Sequence, residues 1–265
     1  MKNKISLDDK IFIAGSGGMV GSATCRMLLQ KGYGKKENNG ILFKPKRKEL
    51  DLLDISKVED WFNRNRPTIV IIAAAKVGGI LANSNKPADF LLENIKIQTN
   101  LIECSWRFGV KRLLFLGSSC IYPKFAEQPI KEESLLKGAL EETNESYAIA
   151  KIAGIKLCES LRTQYGFDAI SLMPTNLYGP GDNYHPIESH VIASLIRKFH
   201  EAYKKKSPSV TCFGSGSPLR EFMHVDDLGD AIVFALEKWD LSSPEAPVDK
   251  NGNPFTYLNV GTGVD

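Results

Sequence analysis

Short apolar runs alternate along the chain with longer stretches in which apolar residues return every three or four positions. Residues 11–14 (Ile-Phe-Ile-Ala) form an apolar run that stops at Gly15, and the pattern predicts a strand. Residues 19–30 predict a helix, with Met19, Val20, Ala23, Met27 and Leu28 on one side and Gly32 past the end. Residues 41–43 and 69–75 predict further strands; the second is apolar throughout, as a strand covered on both faces should be. A helical period over 88–108, a strand over 113–116, a helix over 146–165 and a strand over 169–173 complete this half. Strands alternating with helices imply right-handed crossovers and a parallel sheet.

The text changes character after Pro174. Pro, Gly, His and Asn crowd residues 176–186, and loops dominate thereafter. Residues 1–175 are expected to form a doubly wound domain and residues 176–265 a smaller α/β lobe. Helices are predicted over 191–202 and 226–238, and a last strand over 256–260.

Glycines at 15, 18 and 21 sit between the first strand and the first helix, in the string Gly15, Ser16, Gly17, Gly18, Met19, Val20, Gly21. The commoner GxGxxG spacing would put a glycine where Val20 stands. The physical demand is the same: a tight turn, a backbone that can approach a pyrophosphate, and a helix N-terminus whose free N–H groups bind phosphate. After the second strand, where an acidic residue would bond the ribose of NAD, the chain reads Lys44, Pro45, Lys46, Arg47, Lys48. A basic loop is ordinary on any surface, but this position favours NADP, with Arg47 and Lys46 on its 2′-phosphate.

Tyr147 and Lys151 are four apart at the start of a predicted helix and share a face. An ammonium beside a phenol favours phenolate, so Tyr147 is expected to titrate below its usual value of about 10. Tyr-x-x-x-Lys occurs in many helices without chemical meaning. Ser118 and Ser119 directly after the fourth strand change its weight, because strand ends converge on the crevice where such a sheet binds ligand.

With these motifs the chain resembles the extended short-chain dehydrogenases/reductases that act on nucleotide sugars. Five strings carry the resemblance over nearly the whole chain: AAAKVGGI at 73–80, LGSSCIYP at 116–123, PTNLYGP at 174–180, SHVI at 189–192 and REFMHVDD at 220–227. It implies a Rossmann fold, NADP(H), and a GDP-4-keto-6-deoxy-D-mannose substrate that is epimerised at C3 and C5 and then reduced at C4. By resemblance Cys120 is the epimerising base and His190 the acid, while Ser118, Tyr147 and Lys151 serve the reduction. Pro174, Thr175, Asn176, Leu177 and His190 match positions near the nicotinamide, and Lys198, Phe213 and Arg220 match contacts to the GDP-sugar. A thiol becomes a good base when a cation lies nearby, and a guanidinium grips phosphate oxygens in pairs.

Two departures stand out. Ser16-Gly17 replaces a His-Arg pair whose Arg helps neutralise the 2′-phosphate, so NADP preference is expected to rest on Arg47 and its neighbours. Family members also continue past Asp265, so the substrate lobe is expected to be truncated and to expose an apolar face. A relative that only epimerises, or a non-catalytic NADP-binding protein, are the alternative readings. Dehydratases of the superfamily carry Asp-Glu where Ser119-Cys120 stand, and binding-only relatives usually lose the Tyr or the Lys.

Composition narrows the rest. The 265 residues are 43% hydrophobic and 25% charged, as in ordinary globular proteins. Lys plus Arg number 34 against 31 acids, and +3 gives no ground for a nucleic-acid partner. No apolar run approaches the roughly 20 residues of a membrane span. Five scattered cysteines suit a reducing cytoplasm, and the four histidines lack metal-site spacing. A cytoplasmic homodimer, paired through the long helices after Asp89 and after Ser146, is what the resemblance implies.

Overall fold

The computed structural model describes residues 3–186, 188–212, 214–217 and 219–263. Among these residues six strands form one parallel sheet: β1 (Lys10–Ala14), β2 (Ile41–Phe43), β3 (Ile69–Ile72), β4 (Arg112–Leu116), β5 (Ala169–Pro174) and β8 (Tyr257–Val260). Their order is β2-β1-β3-β4-β5-β8. The order reverses between β1 and β3, which makes the sheet doubly wound and opens a ligand crevice at the carboxyl ends there.

Alternation along the strands builds two cores. Phe12, Val70, Ile72, Leu113 and Phe115 face one side. That side is covered by α2 (Ile55–Asn65), α4 (Pro87–Arg107) and α5 (Glu145–Tyr165). Ile11, Ile13, Ile69, Ile71 and Leu114 face the other. There α1 (Met19–Gln30) packs beside α7 (Val225–Lys238). The α1 bounds coincide with the predicted ones. Helix α2 was not expected, although Asp54 caps it and Val58, Trp61 and Phe62 are its buried stripe.

A parallel pair, β6 (Asn176–Tyr178) with β7 (Phe222–His224), stands beside the sheet. Helix α6 (Val191–Lys204) belongs to the same region. It buries Ala193, while Ile196, Phe199 and Tyr203 are exposed. A short helix, α3 (Ile80–Asn85), precedes α4. The expected division after residue 175 does not separate the layers. Helix α7 packs on α1, and β8 pairs in register with β5, Ser171 opposite Tyr257. The chain therefore leaves the sheet at Pro174 and returns to complete its edge.

Among the described residues no helix is long and apolar enough to cross a membrane. Among them, no group of three or more His, Cys, Asp or Glu is arranged to hold a metal.

Candidate active site

The glycine loop lies at the carboxyl end of β1. Gly15 has φ +85°, and a Cβ there would meet Ala74 N at 2.6 Å. A Cβ on Gly21 would fall 2.1 Å from the Gly15 carbonyl oxygen. The first turn of α1 is thus pressed onto the loop, and only hydrogen fits between them. Gly18 caps α1 with no side-chain hydrogen bond and no acid in the first turn. Space beside Gly17 is open, with no atom within 4 Å of its would-be Cβ. An open cradle at an uncapped helix N-terminus fits a pyrophosphate. Arg47 is exposed in the turn that follows β2, and Glu49 fixes that turn by accepting from the Lys46 N–H at 2.8 Å. These residues suit the 2′-phosphate of NADP.

The carboxyl end of β4 leads into Ser118, whose Oγ accepts from the Cys120 N–H at 3.3 Å. Ser118 also favours the ionised forms of the Cys120 thiol and of the Tyr147 phenol, its two neighbours in this cluster. Tyr147 and Lys151 share the inner face of α5. Lys151 is buried, donates to the Leu116 carbonyl at 2.7 Å, and lies 4.8 Å from the Phe115 ring centre and 5.9 Å from that of Tyr147.

Electrostatics in this cluster differ from expectation. Burial brings the Lys151 ammonium down to about 7. Burial pushes the Tyr147 phenol well above its usual range; the neighbouring Cys120 adds to this and Ser118 opposes it. The phenol is not held low by its lysine: burial dominates the phenol, and the same burial disfavours the charge of Lys151. The Cys120 thiol is likewise raised by burial, with Ser118 and the Arg220 guanidinium pulling it back. The charge of Arg220 thus bears on the cluster from a distant part of the chain.

Pro174 ends β5, and Thr175 N donates to Val260 O at 3.0 Å. Asn176 and Leu177 continue into β6. His190 is exposed and caps α6 through its backbone. Its segment is tied to the loop after β3 by Gly79 N–H donating to Glu188 O at 3.2 Å. The segment that carries His190 therefore lies against the loop that follows the carboxyl end of β3. Lys198 is half-buried on α6, and Phe213 lies outside the described residues.

Other polar residues support the site. Asn94 accepts from the Lys76 N–H at 2.8 Å and donates to the Lys76 carbonyl at 3.0 Å, pinning the loop after β3. Gln98, one turn later and also buried, donates to the Ala150 carbonyl beside Lys151. Two amides on the buried stripe of a helix are a readable signal, since buried polar groups need partners.

Residues 11–247 match the NAD dependent epimerase/dehydratase family. The chain belongs to that family. It is 56% identical to "GDP-L-fucose synthase 1" of Arabidopsis thaliana over 97% of this chain and 73% of that protein. It is 52% identical to "GDP-L-fucose synthase" of Escherichia coli (strain K12) over 97% of this chain and 77% of that one. Among solved structures, a GDP-L-fucose synthetase from Naegleria fowleri bound to NADP superposes with a TM-score of 0.81. It is 28% identical, with 98% of this chain and 79% of that one covered.

Proposed function

We propose that the chain epimerises GDP-4-keto-6-deoxy-D-mannose at C3 and C5 and reduces it at C4 with NADPH, giving GDP-L-fucose. The observation that carries this reading is a cluster at the carboxyl end of β4, where Ser118 Oγ accepts from the Cys120 N–H and Cys120 bears on the Tyr147 phenol. A reductase alone needs the Tyr. A thiol next to that phenol adds a base beside the same sugar.

Carbons flanking a ketone are acidic because the enolate spreads the charge. Cys120 removes the proton from C3 and then C5, and His190 returns one from the opposite face. Ser118 hydrogen-bonds the C4 oxygen and stabilises its developing charge. NADPH, when bound, supplies the hydride for C4. Tyr147 gives the C4 oxygen its proton, and its raised pKa keeps that proton in place at neutral pH. Lys151 holds the nicotinamide ribose and carries its charge near Tyr147. The glycine loop (Gly15, Ser16, Gly17, Gly18, Met19, Val20, Gly21) holds the pyrophosphate, and Arg47 the 2′-phosphate. Pro174, Thr175, Asn176 and Leu177 line the nicotinamide. Arg220 clamps the diphosphate, with Lys198 and Phe213 as further contacts. A cytoplasmic homodimer belongs to the same reading, through the outer faces of α4 and α5, where Leu92 and Ile149 are exposed.

The test is NADPH oxidation by this 265-residue chain with GDP-4-keto-6-deoxy-D-mannose supplied, and chromatography of the product. GDP-L-fucose is the expected product. A folded, NADPH-binding chain that leaves the sugar unchanged would overturn the reading.

A further inference from the structure

We propose that Glu221, which stands outside the cluster around Ser118, is a positioning residue that sets where Arg220 acts. The proposal rests on the reading of Arg220 as a diphosphate clamp.

Glu221 joins three segments at the carboxyl edge of the sheet. Its carboxylate Oε1 accepts from the Gly263 N–H at 2.7 Å and the Thr262 hydroxyl at 3.0 Å. Its own carbonyl accepts from the Thr175 hydroxyl at 3.0 Å and from Asn176 Nδ2 at 3.1 Å. Thr175 N–H in turn donates to Val260 O. Three chain segments, the exit from β5, the entry to β7 and the exit from β8, thus meet at one residue, the first through its backbone carbonyl and the last through its carboxylate. The fit is tight: a Cβ on Gly261 would lie 2.3 Å from Glu221 Oε1.

Arg220 is the next residue back. It is exposed, and its guanidinium donates to the Leu219 carbonyl beside it at 2.6 Å. An exposed guanidinium on a long stem spreads over many rotamers, so its backbone must be held if it is to find a diphosphate. The Glu221 joint supplies that hold. Its attachment to Thr175 and Asn176 also fixes the guanidinium relative to the nicotinamide stretch. The charge of Arg220 already bears on the Cys120 thiol, so a shift of this segment would reach both the substrate clamp and the base.

The test is GDP binding by calorimetry to the full chain, in a cycle of wild type, Arg220→Met, Glu221→Ala and the double variant. Arg220→Met should weaken GDP by about tenfold or more, as loss of a charge-assisted contact does. Glu221→Ala should weaken it by a similar factor. The double variant should be no worse than Arg220→Met alone, because Glu221 acts through Arg220. Glu221→Gln keeps the acceptor oxygen and should recover most of the affinity. Multiplying losses in the double variant, or wild-type affinity in Glu221→Ala, overturns the proposal while leaving the proposed function standing. If Glu221→Ala does not fold, Thr262→Val removes one donor to the same carboxylate and takes its place in the cycle. A wild-type chain that binds no GDP takes down the proposal and the function reading together.

Discussion

Lys151 Nζ donates to the Leu116 carbonyl, 2.7 Å away at the end of the neighbouring strand. The ammonium is thereby held under Tyr147, and burial lowers it to about 7 from its ordinary 10.5. The unfolded chain keeps this proton up to about 10.5, whereas the folded chain gives it up near 7. The cost of burying the charge is fully present below 7 and is relieved as pH rises. Lys151→Met removes it. The stability difference between wild type and Lys151→Met should therefore shift in favour of wild type by about 1.4 kcal/mol per pH unit above neutrality. Urea unfolding of both chains from about pH 7 to about pH 9 measures it, and parallel curves would contradict the burial argument.

Cys120 and Tyr147 bear on each other in one cluster but hold different protons. Cys120→Ser should slow solvent-deuterium exchange at C3 and C5 by about 100-fold or more, the scale of a lost general base. Tyr147→Phe should stop NADPH oxidation and leave most of that exchange. Because burial raises the thiol and Arg220 opposes it, the exchange rate should climb with pH, and Arg220→Met should move that climb to higher pH. Mass spectrometry of the recovered sugar decides. Loss of both activities in Tyr147→Phe would show that the roles are not separable.

The glycine turn separates folding from binding. Gly21→Ala drives a Cβ into the Gly15 carbonyl, which should cost about 1–3 kcal/mol and take NADPH binding with it. Gly17→Ala meets nothing and should melt as wild type does. Thermal melts with NADPH fluorescence titrations compare them, and equal destabilisation by the two would sink the close-approach argument.

At the opposite end of the sheet, buried Arg112 pairs with Asp168, which also pairs with Arg162. Arg112 further donates to the carbonyls of Ala235 and Trp239 at the end of α7. Asp168→Asn leaves a buried guanidinium without its counter-charge and should cost about 3–5 kcal/mol. Arg112→Met removes that charge and should cost less, since Asp168 keeps Arg162. Denaturant midpoints at neutral pH give the order, and the reverse order would refute it.

Much of the molecule was legible because its signals are local. The turn around Gly15, the i,i+4 pair of Tyr147 and Lys151, and Ser118 at a strand end are all written within a few residues. The long helices differ from expectation by one or two residues at their ends. What was not legible depends on long-range closure. No local pattern says that the strand near Tyr257 returns to Ser171, or that the charge of Arg220 bears on a cysteine a hundred positions earlier. The direction of the Tyr147 shift was missed for a related reason: a spacing rule sees the cation but not the burial around it. Helix α2 was a different omission, since Asp54, Val58, Trp61 and Phe62 carried the signal in plain view.

The place of Ser118 has an evolutionary side. Under the proposed function this serine neighbours both the thiol that would invert stereocentres and the phenol that would complete the reduction. A substitution at position 118 would then strike both activities, whereas one at Cys120 would leave Tyr147 and Lys151 in place. Descendants of such a chain could shed inversion and survive as plain ketone reductases, a route that loss of this serine would not open.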